Sequence, residues 1–125
     1  MKPEDTIRVS VQTEYLSEQS TPEDNRFVFA YHIRITNNGA QAATLRSRHW
    51  FIADGNAEVQ EIKGDGVVGE QPTIEPGETY RYSSGSVLST QVGSMRGYYV
   101  MEADDGTLFH ASIPVFTLAY PNALN

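Results

Sequence analysis

Gly64-Asp65-Gly66-Val67-Val68-Gly69-Glu70-Gln71-Pro72-Thr73-Ile74-Glu75-Pro76-Gly77 is the stretch that decides between two folds for this chain. Its first six residues have the G-x-G-x-x-G spacing of dinucleotide-binding loops. In those folds a parallel strand enters the loop and a helix leaves it, so that the helix N-terminus and the loop amides hold a pyrophosphate. Here two prolines and another glycine follow Gly69 within eight residues. Proline removes an amide donor and clashes with the preceding turn, so no ordinary helix starts there. The stretch predicts a shaped loop between β-strands, with Pro76-Gly77 at the centre of a type II turn. A second reading makes the same loop a non-Rossmann anion nest built from backbone amides and helped by Lys63. The residues that would build it are Lys63, Gly64, Asp65, Gly66, Val67, Val68 and Gly69.

On either side of the loop the hydrophobic period is two. Ile7, Val9, Val11, Thr13 and Tyr15 alternate with Arg8, Ser10, Gln12 and Glu14, the pattern of a half-buried strand. Phe27, Phe29, Tyr31, Ile33 and Ile35 form one face of a second strand, and Asn37-Asn38-Gly39 supplies a turn. A third strand spans about Ala42 to Ala53. Leu45, Ser47, His49 and Phe51 oppose Thr44, Arg46, Arg48, Trp50 and Ile52. Trp50 and Ile52 are apolar at positions in phase with two arginines, so a bulge is expected in this strand. Short strands are expected at Glu58 to Ile62 and at Thr79 to Ser83, with a kink or bulge at Ser84-Gly85-Ser86. Ser94 to Glu102 and Thr107 to Ala119 close the pattern around the Asp104-Asp105-Gly106 hairpin turn. Pro114 is expected on an edge or at a bulge.

Seven or eight short strands and no amphipathic helix predict an all-β, antiparallel sandwich, with a small barrel as the alternative. Phe27, Phe29, Ile33, Trp50 and Tyr99 are the expected core anchors. The 125 residues suit a single domain, 1–125, with flexible ends at 1–5 and 121–125. At 39% hydrophobic and 20% charged residues the chain reads as globular rather than disordered.

Composition narrows the function. A net charge of −7 opposes general nucleic-acid binding, because the average field repels phosphate chains. The chain has no cysteine, which rules out disulfides, thiolate metal sites and a cysteine nucleophile. No apolar run approaches the roughly 20 residues of a membrane helix, and no signal peptide is legible after Met1-Lys2-Pro3; the expected location is the cytoplasm. His32, His49 and His110 fall on three separate strands without metal-ligand spacing, and read as ordinary sheet residues. Ser83, Ser84 and Ser86 surround Gly85 without a nucleophile elbow. Strict alternation would put Arg46, Arg48 and Trp50 on one face. That face could bind an anion or an acidic partner, and it adds Arg46 and Arg48 to the candidate anion-binding set.

The motifs taken together resemble the bacterial ApaG proteins. The residues that carry the resemblance are Ser47-Arg48-His49-Trp50-Phe51-Ile52, the loop Gly64 to Pro72, Pro76-Gly77-Glu78 and Tyr82-Ser83-Ser84-Gly85. Phe27 to Tyr31, Met95-Arg96-Gly97-Tyr98-Tyr99 and Ile113-Pro114-Val115-Phe116 extend it to nearly the whole chain. The resemblance implies a sandwich similar to immunoglobulin and fibronectin type III domains. It also implies a protein-interaction module, since similar domains occur in a eukaryotic F-box protein and a polymerase-delta-interacting protein. A pyrophosphate or nucleotide ligand at Gly64, Gly66 and Gly69 is the alternative it carries, linked to diadenosine polyphosphate metabolism through gene neighbourhood. The combined expectation is a non-catalytic binding module without a cofactor, with a protein partner and a homodimer both compatible. A weak phosphohydrolase is its rival.

Overall fold

The computed structural model describes residues 2–124. Its eight strands are β1 Ile7–Tyr15, β2 Phe27–Asn37, β3 Ala43–Ala53, β4 Val59–Asp65, β5 Thr73–Ile74, β6 Thr79–Leu88, β7 Val92–Ala103 and β8 Leu108–Ala119. They form two antiparallel sheets. The small sheet has the order β1-β2-β6; the large sheet runs β4-β3-β7-β8, with β5 also paired to β3. Of the ends expected to be flexible, residues 1 and 125 lie outside the described residues. Pro3–Asp5 and Pro121–Leu124 form 3-10 turns. No helix among the described residues is long and apolar enough to cross a membrane.

The period-two faces close on each other as a sandwich. Ile7, Val9, Phe27, Phe29, Tyr31, Ile33 and Ile35 of the small sheet meet Leu45, Trp50, Ile52, Met95, Tyr99, Met101, Ala111 and Ile113 of the large one in one cluster. All five expected anchors are buried. Each large apolar side chain withdrawn from water contributes roughly 1.5–3 kcal/mol. Trp50 fixes the centre, with its ring against those of Tyr31, Tyr99 and Phe116.

The expected bulge in β3 is present. The β3–β7 register shifts between Leu45 and Ser47, after which the buried positions change parity from Ala43 and Leu45 to Trp50 and Ile52. One extra residue is thus what lets an apolar face continue through a strand whose sequence falls out of phase. Pro114 satisfies both expectations: β8 is an edge strand, and its register against β7 slips between Met95 and Gly97, opposite Pro114. The kink expected at Ser84-Gly85-Ser86 is absent. β6 runs unbroken to Leu88, with Gly85 paired in register to Ala30. β5 has no clear period, being two residues between prolines, yet Ile74 is buried.

The two sides of the sandwich differ. On one, β1 and β8 lie against each other. On the other, β6 and β4 end their sheets, and a groove of about 520 Å³ separates the end of β6 from the start of β4. Arg26, Ile52, Val59, Val87 and Leu88 are among its walls.

Candidate functional site

The glycine stretch begins inside β4, where Gly64 pairs with Arg48 and Asp65 with Ser47. Gly66 then turns the chain with φ +61°, and a Cβ there would lie 2.1 Å from the Glu70 carbonyl oxygen, so only glycine fits. Val67 and Glu70 exchange two backbone hydrogen bonds, at 2.8 and 3.0 Å, around Val68 and Gly69. Both central residues have positive φ, +49° at Val68 and +79° at Gly69, the signature of a type I′ hairpin turn. The Val67 side chain is wholly buried and anchors the turn in the core, while Val68 is exposed.

This geometry spends most of the donors an anion would use. The Gly66 amide donates to the Arg46 carbonyl at 2.9 Å, the Val67 amide to Glu70, and the Glu70 amide to Val67. The amides of Val68 and Gly69 make no hydrogen bond within the chain among the described residues. Arg48 lies across Gly64 and donates from Nη1 to the carbonyls of Asp65 at 3.0 Å and Gly66 at 2.9 Å. Its positive charge thus ties the turn to β3. Gln71 adds another tie, donating to the Arg46 carbonyl at 2.9 Å.

The bulge separates the two arginines that strict alternation would place together. Arg46 sits on the outer face and donates from Nε to Glu102 at 3.1 Å, whereas Arg48 turns toward the Gly64 side. Lys63 is on the outer face with Glu61, 3.6 Å away. Of the nine residues in the candidate set, Lys63 through Gly69 and Arg48 are brought together around the turn. Arg46 joins them through its carbonyl oxygen, and its guanidinium is directed to Glu102.

Three features escaped the sequence reading. The first is an aromatic row on the outer face of the large sheet. Tyr98 stacks on His110 at 4.2 Å and shares a 2.8 Å hydrogen bond with His49 Nδ1; His49 stacks on Phe51, over which Arg96 sits at 4.5 Å. Two of the three histidines thus converge on Tyr98. Alternation places them all on outward positions, but which strands are neighbours is a matter of topology. Among the described residues no group of three or more histidines and carboxylates is arranged to hold a metal ion.

The second is a tyrosine pair between the sheets. The hydroxyls of Tyr82 and Tyr99 are hydrogen-bonded to each other, and burial pushes both phenols well above the usual tyrosine range. Tyr80 is raised too, by burial and by its 3.0 Å hydrogen bond to Glu70, which joins β6 to the glycine turn.

The third is the buried amide of Asn37. Its Nδ2 donates to the carbonyls of Gln41 and Ile74, and its Oδ1 accepts from the Gly39 amide. Its backbone pairs with Glu78 and Gly77. One fully satisfied polar residue thus fixes the Pro76-Gly77 turn and the entry to β6.

Comparison with known proteins places the chain in a family. The ApaG domain family model matches residues 17–103. The chain is 56% identical over 119 residues to Protein ApaG of Pseudomonas putida, covering 95% of this chain and 94% of that one. It is 55% identical to Protein ApaG of an Azoarcus species over the full length of both. The crystal structure of a putative ApaA protein from Bordetella pertussis superposes with a TM-score of 0.91 at 48% identity, covering 94% of this chain and 95% of that chain. The family-model match and the identity of more than half over nearly the whole chain show that this chain belongs to the ApaG family.

Proposed function

We propose that the protein is a non-catalytic binding module whose working surface is the free edge of β6. The observation that carries this reading is the state of that edge. β6 ends the small sheet, pairs only with β2, and runs ten residues, Thr79–Leu88, without proline or lysine. Natural edge strands are usually short, bulged, charged or covered, because a row of free amides and carbonyls invites another strand. β6 has one charge, Arg81, and its centre is Ser83-Ser84-Gly85-Ser86, four small residues that leave the backbone accessible. The other open edge, β4, has Glu61, Lys63 and Asp65 within seven residues. Strand addition at a free edge draws affinity from main-chain hydrogen bonds and specificity from alternate side chains.

On this reading the glycine turn is the scaffold of the edge. Val67 buries it, Arg48 closes it, and Tyr80 fastens β6 to Glu70. A pyrophosphate held there would have to compete with hydrogen bonds the turn already makes.

Calorimetric titration with pyrophosphate, ATP and diadenosine tetraphosphate distinguishes the readings. The binding-module reading predicts no saturable heat. Saturable heat that Gly69→Ala or Val68→Pro abolishes in a folded protein would overturn it in favour of an anion-binding turn.

A further inference from the structure

The outer face of the small sheet holds a charge arrangement that folding does not require. Arg34 of β2 and Arg81 of β6 are direct cross-strand partners, and both are exposed. Arg8 of β1 pairs with Thr36, which places it diagonally next to Arg34 on the same face. Like charges directly opposite on neighbouring strands are destabilising. Among the described residues none of these three guanidinium groups has a carboxylate within 4.0 Å or a side-chain hydrogen bond. The three strands contain one carboxylate, Glu14, and it is taken by His32 Nε2 at 3.1 Å. Around the arginines the face has Ser10, Gln12, Thr36, Thr79 and Ser83, all neutral hydrogen-bonding groups.

The chain has 16 acidic residues against nine lysines and arginines, so carboxylates are abundant everywhere else. Three unpaired arginines on one face of such a protein form a local field opposite to the whole. The row also runs to the β6 edge, with Arg81 on the strand that has the free backbone.

Resting on the binding-module reading, we infer that the segment added beside β6 is an extended peptide of a partner protein carrying an acidic side chain opposite Arg81. Its backbone continues the small sheet. Its carboxylate lies on the outer face, where Arg81 and Arg34 hold it by charge-assisted hydrogen bonds and relieve their mutual repulsion. The next acidic residue along the strand lies two positions away on the same face, because side chains alternate. A partner segment with glutamate or aspartate at alternate positions therefore matches both the backbone and the charge of this surface, and a basic segment is rejected by it.

The test uses the full chain and labelled ten-residue peptides read by fluorescence anisotropy. One alternates Glu with Thr, one alternates Lys with Thr, and a third is the Glu/Thr peptide with alternate amides N-methylated along one edge. The expected result is saturable binding of the Glu/Thr peptide, loss on N-methylation, and no binding of the Lys/Thr peptide. The double substitution Arg34→Glu/Arg81→Glu weakens the Glu/Thr peptide by at least about tenfold and transfers binding to the Lys/Thr peptide. Arg34→Gln and Arg81→Gln, which remove the like-charge pair, melt no lower than the parent and give an intermediate loss. Equal binding of the Glu and Lys peptides, with loss on N-methylation, would overturn the acidic inference and leave the edge reading standing. Binding insensitive to N-methylation and displaced by tripolyphosphate would make the arginine row a simple anion site and overturn strand addition. A dimer in sedimentation that no peptide dissociates would assign the edge to a second copy of this chain. Absence of binding by both unmodified peptides at millimolar concentration would overturn the two readings together.

Discussion

The two sheets handle positive charge in opposite ways. On the large sheet every cation has an internal partner: Arg46 has Glu102, Lys63 has Glu61, Arg96 has the Phe51 ring, and Arg48 has two carbonyls of the glycine turn. On the small sheet Arg8, Arg34 and Arg81 have none among the described residues. The edges differ in the same sense, with β4 charged and β6 nearly neutral. A region whose charges are paired internally is built for stability. One whose like charges are left facing each other carries a small electrostatic cost, which the proposed acidic segment would relieve. The contrast moves attention from the glycine motif, which is conspicuous in the sequence, to a face with no motif.

Substitutions can break this contrast, and the largest effects fall on the large sheet and its turn. Gly66→Ala is expected to cost about 2–4 kcal/mol in urea unfolding, through a left-handed φ and a Cβ 2.1 Å from the Glu70 carbonyl. A near-neutral result would mean that the turn is not held as described. Arg48→Met is expected to cost about 1–3 kcal/mol, because two carbonyls lose a charged donor.

Tyr99→Phe follows at about 1–2 kcal/mol, from leaving the buried Tyr82 hydroxyl without its partner. Both phenols have folded-state pKa values above their unfolded values, so their contribution to stability is complete below the ordinary tyrosine pKa and is lost as pH rises beyond it. Ultraviolet titration is therefore expected to show these two tyrosines ionising only together with alkaline unfolding. Early, reversible ionisation of all seven tyrosines would contradict their burial.

The smallest effect has the opposite sign. Arg81→Gln should leave stability unchanged or raise it by about 0.2–1 kcal/mol, since it removes a like-charge cross-strand pair. A loss of more than that would show that Arg81 has a structural partner, and the contrast between the sheets would fail.

Much of the fold was legible because alternation is a local property. The strands at Ile7, Phe27, Ala43 and Leu108 follow from period two. The β3 bulge follows from the clash of phase between Arg48 and Trp50. The prolines after Gly69 correctly excluded a nucleotide-binding helix. The site was less legible, because pairing between strands is not written in any one of them. Arg34 and Arg81 are 47 positions apart in the chain and become neighbours only through the β2–β6 register. His49, Tyr98 and His110 meet for the same reason. Arg46 and Arg48 look like a pair in sequence, but Arg46 is itself the extra residue of the bulge, so the two leave the strand on different sides. The two-residue β5 has no period to read, and its place depends on Asn37 holding the Ile74 carbonyl.

Amide-resolved NMR of the full chain titrated with the Glu/Thr peptide tells directly whether the β6 edge or the glycine turn binds. Shifted amides are expected to cluster on Thr79 to Leu88, with side-chain changes at Arg34 and Arg81, while Asp65 to Glu70 stay still. Shifts concentrated on Asp65 to Glu70, with β6 unmoved, would contradict the β6 reading and return the binding site to the glycine turn.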